Sequence, residues 1–211
     1  MNTIVRYMDR VVELARSIDP ADIRSVSDIL LQAMYERRQV FLFGNGGSAA
    51  TASHFAVDLG KGLQGPNGLR MKALSLVDAV PVMTAWANDT DYSRIFAEQL
   101  VNFAREDDVA IAISGSGNSP NVLLGVEAAA RSGATTIGFT GYQGGKLKGL
   151  VDFCIVVPSD NMQHIEDLHM ILAHVIYTDM HDRLAVVKGK PYARTSAPPP
   201  VRVRRRGSVE V

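Results

Sequence analysis

Apolar residues at positions 4, 5, 8, 11, 12, 15 and 18 recur in steps of three and four, which predicts a helix over 4–18 with one apolar face. Asp19-Pro20 then supplies an N-cap and a proline suited to the first helical position, opening a second helix through about Glu36. Its apolar face carries Ile23, Val26, Ile29, Leu30, Ala33 and Met34. The period then changes. QVFLF (39–43) is a short apolar run that stops at glycine, the pattern of a buried parallel strand. Beyond it the pattern predicts a helix at 48–59, a strand at 72–76, helices near 80–87 and 93–104, and a strand at 108–113. A helix at 119–132, strands at 134–139 and 152–157, and a last helix at 162–185 complete it. Strand, glycine-rich turn and helix in repetition spell an α/β sheet with helices on both faces. The two helices before the first strand carry more apolar surface than one small sheet needs, which points to an oligomer.

Composition narrows the class. A hydrophobic share of 46% with 21% charged residues belongs to a globular chain, and 211 residues suit one domain with extensions. No run of residues is apolar for long enough to cross a bilayer, and the first ten residues already hold Arg6, Asp9 and Arg10, unlike a signal peptide. The single cysteine, Cys154 in DFCIVV, reads as a small core residue and excludes an internal disulfide, so the expected compartment is the cytoplasm. The net charge of zero hides a partition: seven of the 22 basic residues but one of the 22 acidic ones lie in 188–211. The body, 1–187, therefore nets −6 and has no global attraction for nucleic acid. The remainder, 188–211, contains a proline triplet and reads as a disordered basic tail.

Two strand-to-helix turns have the chemistry of phosphate sites: Gly44-Asn45-Gly46-Gly47-Ser48 and Ser114-Gly115-Ser116-Gly117-Asn118-Ser119. Glycines admit an anion close to the backbone, hydroxyls donate to it, and the following helix N-terminus presents free N–H groups. Neither turn is a dinucleotide fingerprint, since the first acid after the next strand, Asp78, comes about 30 residues on rather than about 20. There is no P-loop motif either, so a small phosphate ester is the better guest. A third glycine-rich stretch, 141–145, reads as a plain turn.

His54 and Asp58 stand four apart on one helix face, and Glu166, Met170, Ala173 and His174 share a face of the last helix. An imidazole and a carboxylate on each helix suit proton transfer, a metal, or both. Tyr92, Phe96 and Trp86 read as packing residues, Asn88 and Asp89 as caps of the next helix, and His164, His169 and His181 as structural or solvated.

GNGGSAATASHFAVDL, AWANDTDYSRIF, ISGSGNS, TGYQGGKL and IEDLHMILAH, in that order, resemble the phosphoheptose isomerases of the sugar isomerase (SIS) domain superfamily. The likeness runs from about residue 5 to 185. It implies a three-layer α/β sandwich with a five-stranded parallel sheet. It also implies a homotetramer, assembled through the two N-terminal helices (1–37), with active sites at subunit interfaces. It implies an aldose–ketose isomerase acting on a phosphorylated sugar such as sedoheptulose 7-phosphate. Phosphate contacts would come from Ser114, Ser116 and Ser119, with Asn45, Gly46, Ser48, Asn88, Asp89 and Glu166 near the sugar. Asp58 falls on the family's catalytic carboxylate, His174 on its catalytic histidine, and His54 on a histidine that zinc-bearing members use as a ligand. His54, Asp58, Glu166 and His174 would then be the ligands of a zinc ion; a metal-free Asp58–His174 acid/base pair is the alternative.

Three positions depart from the family pattern. Asp58 stands for a Glu, Glu166 for a Gln, and Gly115 for a Thr in the phosphate loop. The competing class is a non-catalytic relative that binds sugar phosphates or a replication initiator. Such adaptors lack an acid at the base position, whereas Asp58 and His174 are both present.

Overall fold

The computed structural model describes residues 2–187. The expected tail, 188–211, lies outside the described residues. The elements in chain order are α1 (Thr3–Ser17), α2 (Pro20–Glu36), β1 (Gln39–Gly44), α3 (Gly47–Val57), β2 (Lys72–Ser75), α4 (Val80–Asp89), α5 (Ala97–Phe103), β3 (Val109–Ser114), α6 (Pro120–Arg131), β4 (Thr135–Thr140), α7 (Leu147–Leu150), β5 (Phe153–Val156) and α8 (Met162–Val187). All five strands are parallel, in the order β2-β1-β3-β4-β5. The three-layer α/β sandwich is the one expected.

Strand alternation sorts the core into two layers. Val40 and Leu42 of β1 join Val109, Ile111 and Ile113 of β3 beneath α1, α2, α3 and α8. Phe41 and Phe43, pointing the other way, pack with Ala110 and Ala112 under α5, α6 and α7. Helix α2 begins as the sequence reads: Asp19 accepts from Ala21 N at 2.8 Å and Pro20 opens the first turn. A cluster of ion pairs then ties α2 to α8, with Arg24 on Asp179 and Arg183 on Asp28, both at 2.7 Å.

The two N-terminal helices differ. Val26, Ile29, Leu30, Ala33 and Met34 bury α2 within its own chain. Leu14 of α1 and Ile18, its C-cap, are buried, while Ile4, Val5, Met8 and Val12 remain exposed, Ile4 at 70%. Surplus apolar surface therefore belongs to α1 alone rather than to the pair of helices.

Several boundaries depart from the sequence pattern. The helix expected over 48–59 stops at Val57 and gives way to a π-turn at Asp58–Gly62. The helix expected over 93–104 is broken into a 3₁₀ turn at Tyr92–Arg94 and α5. Its cap is Asp91, which accepts from Ser93 N, rather than Asn88 or Asp89, whose side chains bond to each other. Tyr92, expected in the core, is 57% exposed. Phe96 is fully buried as expected, and Trp86 packs against the second layer.

Candidate active site

In the order β2-β1-β3, chain direction reverses its progress across the sheet between β1 and β3, and the crevice beyond their carboxyl ends is where open α/β sheets bind ligands. Both glycine-rich loops open there. Ser114 ends β3, Ser119 is the N-cap of α6, and their hydroxyls lie 3.3 Å apart. The Ser119 side chain makes no capping bond to α6; Val122 N donates instead to Ser119 O and to Asn121 Oδ1, both at 3.0 Å. Ser116 Oγ accepts from Asn118 N at 3.2 Å. The stretch 141–145 does more than turn the chain. Gly141 N donates to Gly115 O at 2.8 Å, Leu147 N to Gly117 O at 2.9 Å, and Lys146 N to Asn118 Oδ1 at 3.1 Å, bracing the serine loop from behind.

In the first loop, Asn45 and Asn121 exchange amide hydrogen bonds, each 2.8 Å, and Tyr92 donates to Asn45 Oδ1 at 3.2 Å. That fixes the carboxamide of Asn45 and explains why Tyr92 is held outside the core. Gly46 is the uncapped N-cap of α3 and Ser48 is buried in its first turn. A cavity of about 230 Å³ opens beside this loop, lined by Asn45, Gly46, Ser53, Asp78, Met83 and Tyr92 among others. The carboxylate of Glu166 lies so close to Gly47 that a Cβ there would overlap both of its oxygens and would have to push that side chain aside. It brings a negative charge to the positive end of α3.

Three ionisable side chains, His54, Asp58 and His174, come together between α3 and α8. His54 Nε2 is 3.4 Å from Asp58 Oδ2, His174 Nε2 is 3.8 Å from it, and the two imidazole nitrogens are 2.9 Å apart. Asp58 is the first residue of the π-turn, a distortion that often marks functional positions in helices. Glu166 is absent from this group, the only one of its kind among the described residues. It precedes His174 by eight residues, about 12 Å of helix, so one chain does not gather all four expected ligands. The three donors that do converge suit a tetrahedral cation. Bonds of about 2.0–2.2 Å put ligand atoms about 3.3–3.6 Å apart, near the two histidine–carboxylate distances, while the two imidazoles would have to open slightly. Asn88 and Asp89, exposed at the end of α4, have no hydrogen bond to either loop among the described residues.

Two histidines turn out to be structural. His169 is fully buried, its Nε2 3.1 Å from Thr140 O, and burial pulls its pKa down to about 4, so the ring is neutral. His164 is buried against the ring of Tyr7, centroids 4.4 Å apart, and Tyr7 donates to Asp167 at 2.6 Å, a bond that holds the phenol pKa up to about 12. His181 is exposed. Cys154 is half-buried beside Thr140, and burial pushes its thiol up.

The fold and its two loops define an SIS domain, whose family model matches residues 4–141. Curated relatives narrow the class. A phosphoheptose isomerase of Akkermansia muciniphila is 37% identical over 83% of this chain and 91% of its own. One of Aquifex aeolicus is 40% identical over 72% and 78%. Among solved structures, the phosphoheptose isomerase of Neisseria gonorrhoeae superposes with a TM-score of 0.79 at 27% identity, covering 85% of this chain and 97% of that one. The chain belongs to the phosphoheptose isomerase family. The sugar-phosphate-bound NanR protein of Vibrio vulnificus shares only the fold, at 15% identity and a TM-score of 0.63.

Proposed function

We propose that this chain is an aldose–ketose isomerase that interconverts sedoheptulose 7-phosphate and glycero-manno-heptose 7-phosphate. The observation that carries it is the convergence of Asp58 and His174 from two different helices, 3.8 Å apart, in a chain that also holds an uncapped serine loop. The family name of the relatives supplies the substrate. The phosphate would accept hydrogen bonds from Ser114, Ser116, Ser119 and the α6 N-terminus. Asn45, Gly46, Ser48, Asn88 and Asp89 would meet the sugar. Asp58 takes a proton from C1 of the ketose as the C2 carbonyl opens to an enediol. His174 gives a proton to O2 and takes the one on O1. Asp58 then returns its proton to C2, leaving the carbonyl on C1.

The competing use of the same three side chains is a zinc ion on His54, Asp58 and His174, which would supply Lewis-acid polarisation of the sugar oxygens in place of their proton transfer. Helices α3 and α8 both run from the loop end of the sheet toward the other. His54 is seven residues past Gly47 and His174 eight past Glu166, so the pair sits about 10–12 Å below its own loops. This separation favours a homotetramer in which the loop of one copy meets the pair of another, assembled over the exposed apolar stripe of α1. Glu166 belongs to the loop end in this reading, within reach of substrate and of a neighbouring copy's metal. A single half-buried cysteine fits an enzyme of the cytoplasm.

The test is Asp58→Asn, nearly isosteric but unable to accept a proton. Turnover of sedoheptulose 7-phosphate in a coupled assay should fall by about 10²–10⁴-fold with KM little changed. Wild-type turnover in that variant would remove Asp58 as the base.

A further inference from the structure

The end of the sheet opposite the serine loops carries a second cavity, of about 350 Å³, that the isomerase reading does not use. It opens where β1 and β2 begin and where the chain enters β3. Arg37, Arg38, Lys72 and Arg105 line it, against one carboxylate, Asp108. That carboxylate is buried, and each of its oxygens accepts a backbone N–H, from Gln39 at 2.8 Å and Arg105 at 2.9 Å. Arg38 is held by Asp107 at 2.9 Å and by the carbonyl of Glu106. The side chains of Arg37, Lys72 and Arg105 have no hydrogen bond or ion pair among the described residues.

Arg37, Lys72 and Arg105 are solvent-exposed, so three cations without a protein partner among the described residues line one cavity on a body that is otherwise acidic. Arg37 adds a second sign. It stands at the C-terminus of α2 with φ +60°, a left-handed position that favours glycine, yet carries a long cationic side chain. The wall beside these cations is apolar: Leu74 and Phe103 are both solvent-exposed, Phe103 at 55%, over a floor of buried Phe41. A flat exposed ring in a cavity lined by several cations matches a ligand with phosphates at one end and an aromatic base at the other. The volume falls within the range of small-molecule sites.

We propose that this cavity binds a nucleoside di- or triphosphate, its phosphates on Arg37, Lys72 and Arg105 and its base stacked on Phe103. It is separate from the sugar-phosphate site, so its failure would leave the isomerase reading intact.

Calorimetric titration of the full chain with ADP, ATP, GTP and inorganic tripolyphosphate tests it. The nucleotides should bind with Kd below about 1 mM. Lys72→Glu with Arg105→Glu should weaken all four ligands by at least about tenfold. Phe103→Ala should weaken the nucleotides by about five- to a hundredfold and leave tripolyphosphate unchanged, since only a base can stack. Isomerase turnover should be unaltered in both variants, which also shows that they fold. No binding at about 1 mM, or binding indifferent to the charge reversal, overturns the proposal. So does nucleotide binding abolished by Ser116→Ala, which would place it in the serine loop. Equal loss of tripolyphosphate in Phe103→Ala would remove the stacked base and with it the nucleotide.

Discussion

The position of the acid/base pair relative to the phosphate loop can be tested with chains that are each inactive. Ser116→Ala with Ser119→Ala removes two hydroxyl donors to the phosphate, worth about 1.5–3 kcal/mol each where the acceptor is charged. His174→Ala removes the proposed second proton carrier, whose side chain is exposed. Along α8 and α3 the pair is displaced about 10–12 Å from the loops of its own chain, toward the far end of the sheet. If one copy's loop serves another copy's pair, a tetramer assembled at random from the two variants has an intact loop facing an intact pair at about one site in four. Co-expressing the variants under different affinity tags and isolating the doubly tagged species should give about a quarter of wild-type turnover. Each variant alone should be nearly inactive. Were every site built from one chain, each site would carry one defect or the other. Hybrids no more active than their parents would therefore refute the divided site.

Three other outcomes follow from particular contacts. His169 is neutral in the fold but protonates near pH 6.5 when the chain unfolds, so its contribution is present above that pH and disappears as pH falls toward 4. Between pH 7 and 5 this amounts to about 2 kcal/mol, and His169→Phe should lose that much less in urea unfolding; equal losses would remove the buried neutral ring as the cause. A Cβ on Gly115 would come 2.5 Å from the sulfur of Met162, so Gly115→Thr alone should raise KM and adding Met162→Ala should restore it. A lower KM for the single variant would contradict this. On the metal reading, elemental analysis of untagged protein should find about one zinc per chain, falling below about a tenth in His54→Ala; a zinc-free wild type with full activity would end that reading and leave the Asp58–His174 proton relay.

Most of the sheet was legible because parallel strands buried on both faces read as short apolar runs ending at glycine, as in QVFLF and VAIAIS. What escaped was set by tertiary contact. The π-turn at Asp58–Gly62 leaves no mark in a pattern that continues to look helical, and Gly62 is required there because a Cβ would strike Tyr177 of α8, over a hundred residues away. Tyr92 looks like a core aromatic in sequence, yet its hydroxyl is drawn to Asn45. The His54–Asp58–His174 cluster was visible from i, i+4 spacing and family likeness together. The separation of Glu166 from His174 was legible too, since eight positions along one predicted helix are about 12 Å; what the sequence could not show is that the Glu166 carboxylate lies against Gly47. The cations around the second cavity come from three separate segments, and no local spacing could have joined them.

The sheet's two edges, β2 and β5, are each four residues long, and β2 opens with Lys72. A strand this short offers few backbone groups to an incoming chain, and a charged edge residue resists being covered. Strand addition between copies would leave most of a six-residue central strand's ladder unmatched, so accidental growth into fibres is blocked at both borders. Contacts between copies are thereby directed to helical surfaces, where side-chain fit rather than backbone pairing selects the partner.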